Sequence, residues 1–345
     1  MRLSLLIVFC CFLFISILSA DPVIVNSDPK IFNKEKEIQY VIECRKVSEN
    51  GLFSFLMRMV EWIYTIKHEK HLGFYINMTD AYHGFSGNVY TLLFKPFEDP
   101  QITTTLPESC PVHFNPNWPV DSGIFNTYYI TAGFKNYSTC RYVYSQAAFC
   151  TDPDFSLFRE RLHPIISQYM QPATDLQKRI DALMGEMNRP LKDSELNDPN
   201  TQSKPNYKIG IHVRCMEHYK NCTKSPDEFL DDIERDVDLI MASHDPYNTS
   251  IYLATLLEPV VKRLSAKYNV VVCDMPRIPD VRGDWTVFAD AHHVDKAREA
   301  IIDTWCLAHC DEFWGSSSNM TIFAGCLNPH LKIYMIPSLA SYDGN

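Results

Sequence analysis

The run Tyr207-Lys-Ile-Gly-Ile-His212-Val-Arg214-Cys215-Met216-Glu217 sets an imidazole, a guanidinium and a carboxylate within six residues. Five of its first seven residues are apolar or Gly, which is the pattern of a buried strand. Buried strands seldom end in such a cluster unless the groups act at the strand's mouth. In open α/β sheets, ligands sit just outside the carboxyl ends of the strands. An Arg placed there suits a phosphate, which its planar fork grips through two hydrogen bonds.

A second cluster follows about a hundred residues later, at Gly315-Ser316-Ser317-Ser318-Asn319. Small hydroxyl residues between a strand and a helix offer backbone N–H groups, side-chain donors and a helix N-terminus, a combination that attracts phosphate. Plain N-capping by Ser or Asn is the blander use of the same residues. Arg214 at a parallel strand's end shifts the balance toward phosphate.

Other reactive-looking residues carry less weight. Cys215 stands near His212, but neighbours along a strand point to opposite faces. A disulfide from Cys215 to Cys222 is the expected fate. Cys306 and Cys310 with His309, His292 and His293 do not have zinc spacing, so no metal site is expected there. Asp152-Pro-Asp154 has the form of a metal-binding acid pair, yet it precedes a helix and capping accounts for it.

These clusters need a scaffold. From Ser225-Pro-Asp-Glu228, with its cap, Pro at N1 and acid at N3, a helix is predicted over 226–242. Strand 251–255, helix 258–267, strand 270–273, helix 296–309, strand 312–315, helix 319–327 and strand 332–336 follow. Such alternation means a parallel sheet covered by helices on both faces. Near the N-terminus, a strand at 38–44, a helix at 52–70 and a strand at 73–77 make a βαβ start. Residues 80–150 are rich in Pro, aromatics and Cys and read as irregular. Residues 154–187 read as helix interrupted near Pro164 and Pro172. The polar stretch 191–206 reads as a linker between domains 21–190 and 207–345.

Length and composition set the bounds. The 345 residues are 46% hydrophobic, enough for two domains of ordinary size. A net charge of −10 excludes a broad nucleic-acid surface. Residues 1–20, with Arg2 and an apolar run to Leu18, read as a secretory signal peptide or a signal anchor. Membrane association is expected only if that segment stays uncleaved. Five glycan acceptor triplets, at Asn77, Asn136, Asn221, Asn248 and Asn319, agree with a lumenal or secreted home. Of the 12 cysteines, all but Cys10 and Cys11 lie beyond the signal, and an even number there favours disulfides.

The order of motifs is more telling than any one of them. His-x-Arg at a strand end precedes Ala254-Thr255. Glu299-Ala-Ile-Ile-Asp303 then leads to the Ser-rich turn, and Ala324-Gly-Cys-Leu-Asn-Pro329 closes the series. Over about residues 207–337 this resembles the GDP-fucose-dependent fucosyltransferases, which include α1,2-, α1,6- and protein O-fucosyltransferases. The resemblance implies an α/β protein of two facing Rossmann-like domains (GT-B-like). It implies transfer of fucose from GDP-fucose to a glycan or protein hydroxyl, with inversion and without metal or other cofactor. Arg214 would hold the diphosphate, with His212 beside it. Asp303 would lie near the nucleotide, Ser316, Ser317 and Ser318 would line the phosphate pocket, and Glu217 would take the acceptor's proton. The partners implied are a nucleotide sugar and a glycan or glycoprotein acceptor, and Trp118 and Trp285 are candidates to stack on sugar.

The chain departs from the family pattern at three points: Cys215 replaces a second Arg, Leu256 replaces an acid, and the Gly-rich N-terminal opening, echoed at Asn50-Gly51, is incomplete. A catalytically degenerate, secreted binding module on the same fold is the alternative these departures leave open. A metal-dependent transferase using Asp152 and Asp154 is a third reading.

Overall fold

A computed structural model describes residues 40–45, 51–68, 72–79, 85–105, 113–114, 153–188, 207–219, 221–282, 293–316 and 318–342. The linker at 191–206, the N-terminal segment, Asp152, Trp118, Trp285 and Ser317 lie outside them.

The N-terminal half opens as the sequence pattern requires. Strand β1 (Tyr40–Arg45) leads through helix α1 (Leu52–His68) to the parallel strand β2 (Leu72–Asn77). Phe55, Leu56, Met59, Val60, Ile63 and Ile66 are fully buried, the stripe expected of helical spacing. Two short strands, β3 (Ile102–Thr103) and β4 (His113–Phe114), complete a parallel sheet of order β3-β2-β1-β4. A one-turn helix, α2 (Tyr90–Leu93), precedes β3. These pieces are too short to leave a period in the sequence.

Helix α3 (Pro153–Tyr169) runs unbroken through Pro164, contrary to the break expected there. Pro164 is exposed, while Leu162 and Ile166 on the opposite side are held in the core. Tertiary packing thus outweighs the loss of one helical N–H. The chain does break at 170–173, and helix α4 (Thr174–Met187) follows.

The C-terminal half is a parallel sheet of strands β5 (Tyr207–Val213), β6 (Thr249–Thr255), β7 (Val270–Val271), β8 (Glu312–Gly315) and β9 (Lys332–Met335), in the order β7-β6-β5-β8-β9. Strand alternation gives it two apolar faces. Ile209, Ile211 and Val213 pack with Phe229 and Ile233 of α5 (Pro226–Met241), Val260 of α6 (Glu258–Ser265) and Leu339 of α9 (Pro337–Tyr342). Tyr252, Ala254 and Phe313 face Ile301 and Leu307 of α7 (His293–Ala308) and Ile322 and Phe323 of α8 (Asn319–Leu327). Gly210 lets α7 approach: a Cβ there would lie 2.9 Å from Leu307 Cδ2.

One apolar cluster joins the two halves. It contains α1, α3 and α4 together with α7 and α8, and the rings of Phe53 and Phe323 are 5.5 Å apart. Arg159 of α3 donates to the carbonyls of Asn328 at 3.3 Å, Leu331 at 3.0 Å and Pro329. Cys215, Cys222, Cys273, Cys306, Cys310 and Cys326 are free thiols, so the expected Cys215–Cys222 bond is not formed in this structure. Cys215 is instead buried among the apolar residues around α5. Among the described residues no helix is long and apolar enough to cross a membrane, and no cluster of metal-ligating side chains occurs.

Candidate functional site

The carboxyl ends of β5 and β8 lie side by side. Ile211 pairs with Trp314, so the same register carried one step further sets His212 beside Gly315. On its other side His212 pairs with Ala254 of β6. The imidazole therefore sits between two residues that have little or no side chain. His212 is only 9% exposed, and its Nδ1 has no hydrogen-bond partner. Burial, with the charges of Arg214 and His218 added, pushes its pKa down to about 3. The ring is neutral at any physiological pH.

Ser316 stands just past the end of β8. Its residue is fully buried, and its Oγ also lacks a partner. The turn around it is wired by Thr321, whose Oγ1 donates to the Ser316 carbonyl at 2.8 Å and whose N–H donates to Ser318 Oγ at 3.2 Å. Ser318 is thus the N-cap of α8, and its hydroxyl is committed to that role. The first N–H groups of a helix have no intrahelical acceptor, so this end of α8 favours an anion.

Arg214 leaves β5 half-buried, and its charge reaches both His212 and Cys215. Its backbone N–H donates to the Tyr219 hydroxyl at 3.3 Å. A 3₁₀ turn at Met216–His218 follows, tied down by the Met216 N–H to the Val281 carbonyl at 2.9 Å. Glu217 lies on this turn and is exposed.

Asp303 lies deeper. It is buried on α7 beneath β6 and accepts a hydrogen bond of 2.7 Å from the Tyr252 hydroxyl. Burial pushes its carboxyl up to about 7. Tyr252 pairs with Gly210, two residues before His212, so Asp303 is near the site but below its rim. Glu299 is one helical turn nearer the start of α7. Burial raises its carboxyl to about 6, against the opposing charges of Arg179 and Arg277. Arg277 Nε is buried without a partner, while its other nitrogens bond the Cys273 and Met275 carbonyls.

The structure thus groups His212, Arg214, Ser316 and Ser318 at neighbouring strand ends, with Glu217 outside and Asp303 underneath. Sequence reasoning missed Tyr252, Glu299 and Arg277. Glu299 and Asp303 did carry a signal: two acids four residues apart share a helix face, here one flanked by Ile301 and Ile302. What the grouping can do follows from its parts. A neutral imidazole, a hydroxyl, a guanidinium and a helix N-terminus make a donor-rich cluster, chemistry that suits an anion such as phosphate.

No protein-family model matches the chain, and no curated protein matches it. Solved structures do match. NodZ α1,6-fucosyltransferase co-crystallized with GDP is similar over 84% of this chain and 92% of that one, with 15% identity and a TM-score of 0.50. The chain therefore has the GT-B-like α/β fold of a GDP-fucose fucosyltransferase. A mutant of Arabidopsis thaliana FUT1 in complex with GDP aligns over 93% of this chain and 73% of that one, at 12% identity and a TM-score of 0.43. POFUT1 in complex with GDP-fucose aligns over 92% and 99%, at 8% identity and a TM-score of 0.42. Those two scores are too low to add to the fold assignment.

Proposed function

We propose that the chain transfers fucose from GDP-fucose to a glycan or protein hydroxyl in the secretory pathway. One observation carries the reading: His212 Nδ1 and Ser316 Oγ are buried and unpartnered at adjacent strand ends, beside Arg214 and the N-terminus of α8. Buried polar atoms are nearly always bonded, so two orphans in one place mark where a ligand's acceptors belong. A diphosphate supplies such acceptors.

In this reaction the acceptor oxygen attacks the anomeric carbon of fucose while the bond from that carbon to the β-phosphate oxygen breaks, inverting the centre. The electron pair leaves with GDP, where Arg214, His212 and Ser316 stabilise it. The acceptor's proton goes to Glu217. His212 is too weak a base for that task, because its conjugate acid loses its proton near pH 3. Asp303, bonded to Tyr252 of β6, is the group that would lie near the nucleotide, and Glu299 is one helical turn away from it.

A second reading is favoured by Cys215. Its thiol is 2% exposed, packed against the α5 side, and raised to about 11 by burial. It offers no charge where the resemblance implies a second Arg. Leu256 likewise stands where an acid is implied, and Glu258 nearby is turned to Lys262 at 3.6 Å. Both losses suit a lectin-like module that binds without turnover. Calorimetry with GDP, followed by an assay of GDP-fucose hydrolysis, separates the two. Binding with slow hydrolysis supports transfer, and binding without hydrolysis supports the module. No heat at millimolar GDP would sink the nucleotide reading altogether.

A further inference from the structure

Five glycan acceptor triplets stand in the sequence, and the strand-end cluster gives none of them a task. Modification adds a bulky, hydrated oligosaccharide to the Asn side chain, so the residue must lie on the surface of the finished fold. Asn136 lies outside the described residues. The structure sorts the other four.

Three of them are enclosed. Asn77 ends β2 and is 9% exposed; its Oδ1 takes the Thr79 N–H at 2.9 Å, and Met78 beside it is fully buried. Asn248 is half-buried in a closed turn, where its Nδ2 donates to Asp245 Oδ2 at 2.9 Å and its N–H to the Asp245 carbonyl at 3.1 Å. The hydroxyl of its triplet, on Ser250, is buried between the Met187 carbonyl at 3.1 Å and Asn269 Nδ2 at 2.7 Å. Asn319 opens α8, and the hydroxyl of its triplet, on Thr321, is fully buried and bonded to the Ser316 carbonyl. A glycan there would stand at the helix end that favours an anion.

The fourth is the reverse. Asn221 is exposed in a turn just after the 3₁₀ segment at Met216–His218, and Thr223 is exposed too. The side-chain amide of Asn221 has no hydrogen-bond partner among the described residues. From here the chain runs without regular structure to Ser225, the N-cap of α5. Its backbone is nevertheless fixed, since the Asn221 N–H donates to the Tyr342 carbonyl and the Cys222 N–H to the Tyr219 carbonyl, each at 3.1 Å. An anchored surface loop with an unused amide accommodates a bulky group without disturbing the core. Tyr342 belongs to α9, which packs on the opposite face of the sheet from α7 and α8, so a glycan here starts away from the Ser316 turn.

We propose that Asn221 is an N-glycosylation site, and that of the four described triplets it alone carries a glycan in the folded protein. The proposal rests on the secretory-pathway part of the reading above. In the reaction Asn221 Nδ2 bonds to the anomeric carbon of the first N-acetylglucosamine of a polyprenyl diphosphate-linked oligosaccharide, the donor used by the host's lumenal transferase. The bond from that carbon to the diphosphate oxygen breaks, its electron pair leaves with the diphosphate, and the amide gives one proton to the solvent.

The test is expression of the full chain in cultured animal cells, then enzymatic release of N-glycans in heavy-oxygen water. Release turns each glycosylated Asn into a heavy-labelled Asp, which peptide mass spectrometry locates. The label is expected at position 221 and absent at 77, 248 and 319, in material that melts cooperatively. Asn221→Gln and Thr223→Ala each lose the gel-mobility shift of one glycan, and Thr223→Ser keeps it. Protease digestion of sealed microsomes separates the two ways to fail. A digested chain never entered the lumen, and it overturns the secretory reading together with the site. A protected chain unlabelled at 221, or labelled at 77, 248 or 319, overturns the choice of Asn221 and leaves the secretory reading standing.

Discussion

Glu312 and His212 are buried polar side chains on adjacent strands, and the molecule treats them in opposite ways. Glu312, at the entry of β8, is held from three sides. Trp314 Nε1 donates to it at 2.9 Å, the Tyr207 hydroxyl at 3.2 Å, and His244 Nε2 lies 3.3 Å away. His212, near the exit of β5, has no partner at Nδ1. The entry edge is finished by the protein's own groups, whereas the exit edge is left open. An unmatched buried atom costs stability, so a chain keeps one where something other than itself provides the match.

The largest effect expected is at the exit edge. Arg214→Ala removes the cation that would face developing charge on a leaving diphosphate, and transfer should fall by about 10²- to 10³-fold or more. Arg214 is half-buried, so the melting temperature should hold. Turnover at the wild-type rate in that variant, measured with GDP-fucose, would remove the guanidinium from the mechanism.

The entry edge should show the converse. Glu312→Ala strips the acceptor from Trp314 and Tyr207 and leaves both donors half-buried. Unfolding in urea should reveal a loss of about 2–3 kcal/mol. GDP binding per folded molecule should not change. A variant as stable as the wild type would erase the contrast between the two edges.

Asp303 lies between these extremes, since it has a partner in Tyr252 and still ionises poorly. Its folded pKa, about 7, is above that of an unfolded aspartate near 4. The folded form therefore holds a proton that the unfolded form has lost, and burial of the charge costs stability as pH rises from 4, fully so above 7. Asp303→Asn keeps an acceptor for Tyr252 without the charge. It should be about 2 kcal/mol more stable than the wild type at pH 8, with the gain fading toward pH 4. A gain that is flat across this range would assign the effect to packing instead.

Periodicity made the scaffold legible. The strands at 207–213 and 312–315 and the helix at 319–327 agree with the sequence reading residue for residue, because buried parallel strands and amphipathic helices each impose their own spacing. Strands β3 and β4 escaped notice, since two residues cannot show a period. Pro164 misled because local propensity is a weak prior against a packed face. At the site, residue types were readable and states were not. Nothing in the letters shows that His212 Nδ1 is buried without a partner, that Ser318 spends its hydroxyl as a cap while Ser316 does not, or that Asp303 bonds Tyr252 from another element. These depend on which side chains meet across elements far apart in the chain.

The smallest expected effect bears most directly on why the exit edge is unfinished. His212→Leu replaces an orphaned ring nitrogen by carbon of similar bulk, in a place already lined by Ala254 and Gly315. If the nitrogen serves only a ligand, its loss should leave the apo protein as stable at pH 7.5, or about 1 kcal/mol more stable. The difference should grow in acid. The folded imidazole stays neutral down to about pH 3, whereas an unfolded histidine gains a proton near 6.5, so the wild type loses up to about 1.4 kcal/mol per pH unit below 6.5. The Leu variant has no such loss. GDP should bind it more weakly than the wild type in the same preparation. Stability gained together with affinity lost identifies a group kept for a ligand at the fold's expense. A variant that is destabilised at pH 7.5 and binds GDP normally would make His212 a structural residue, and the asymmetry between the two edges would then need another cause.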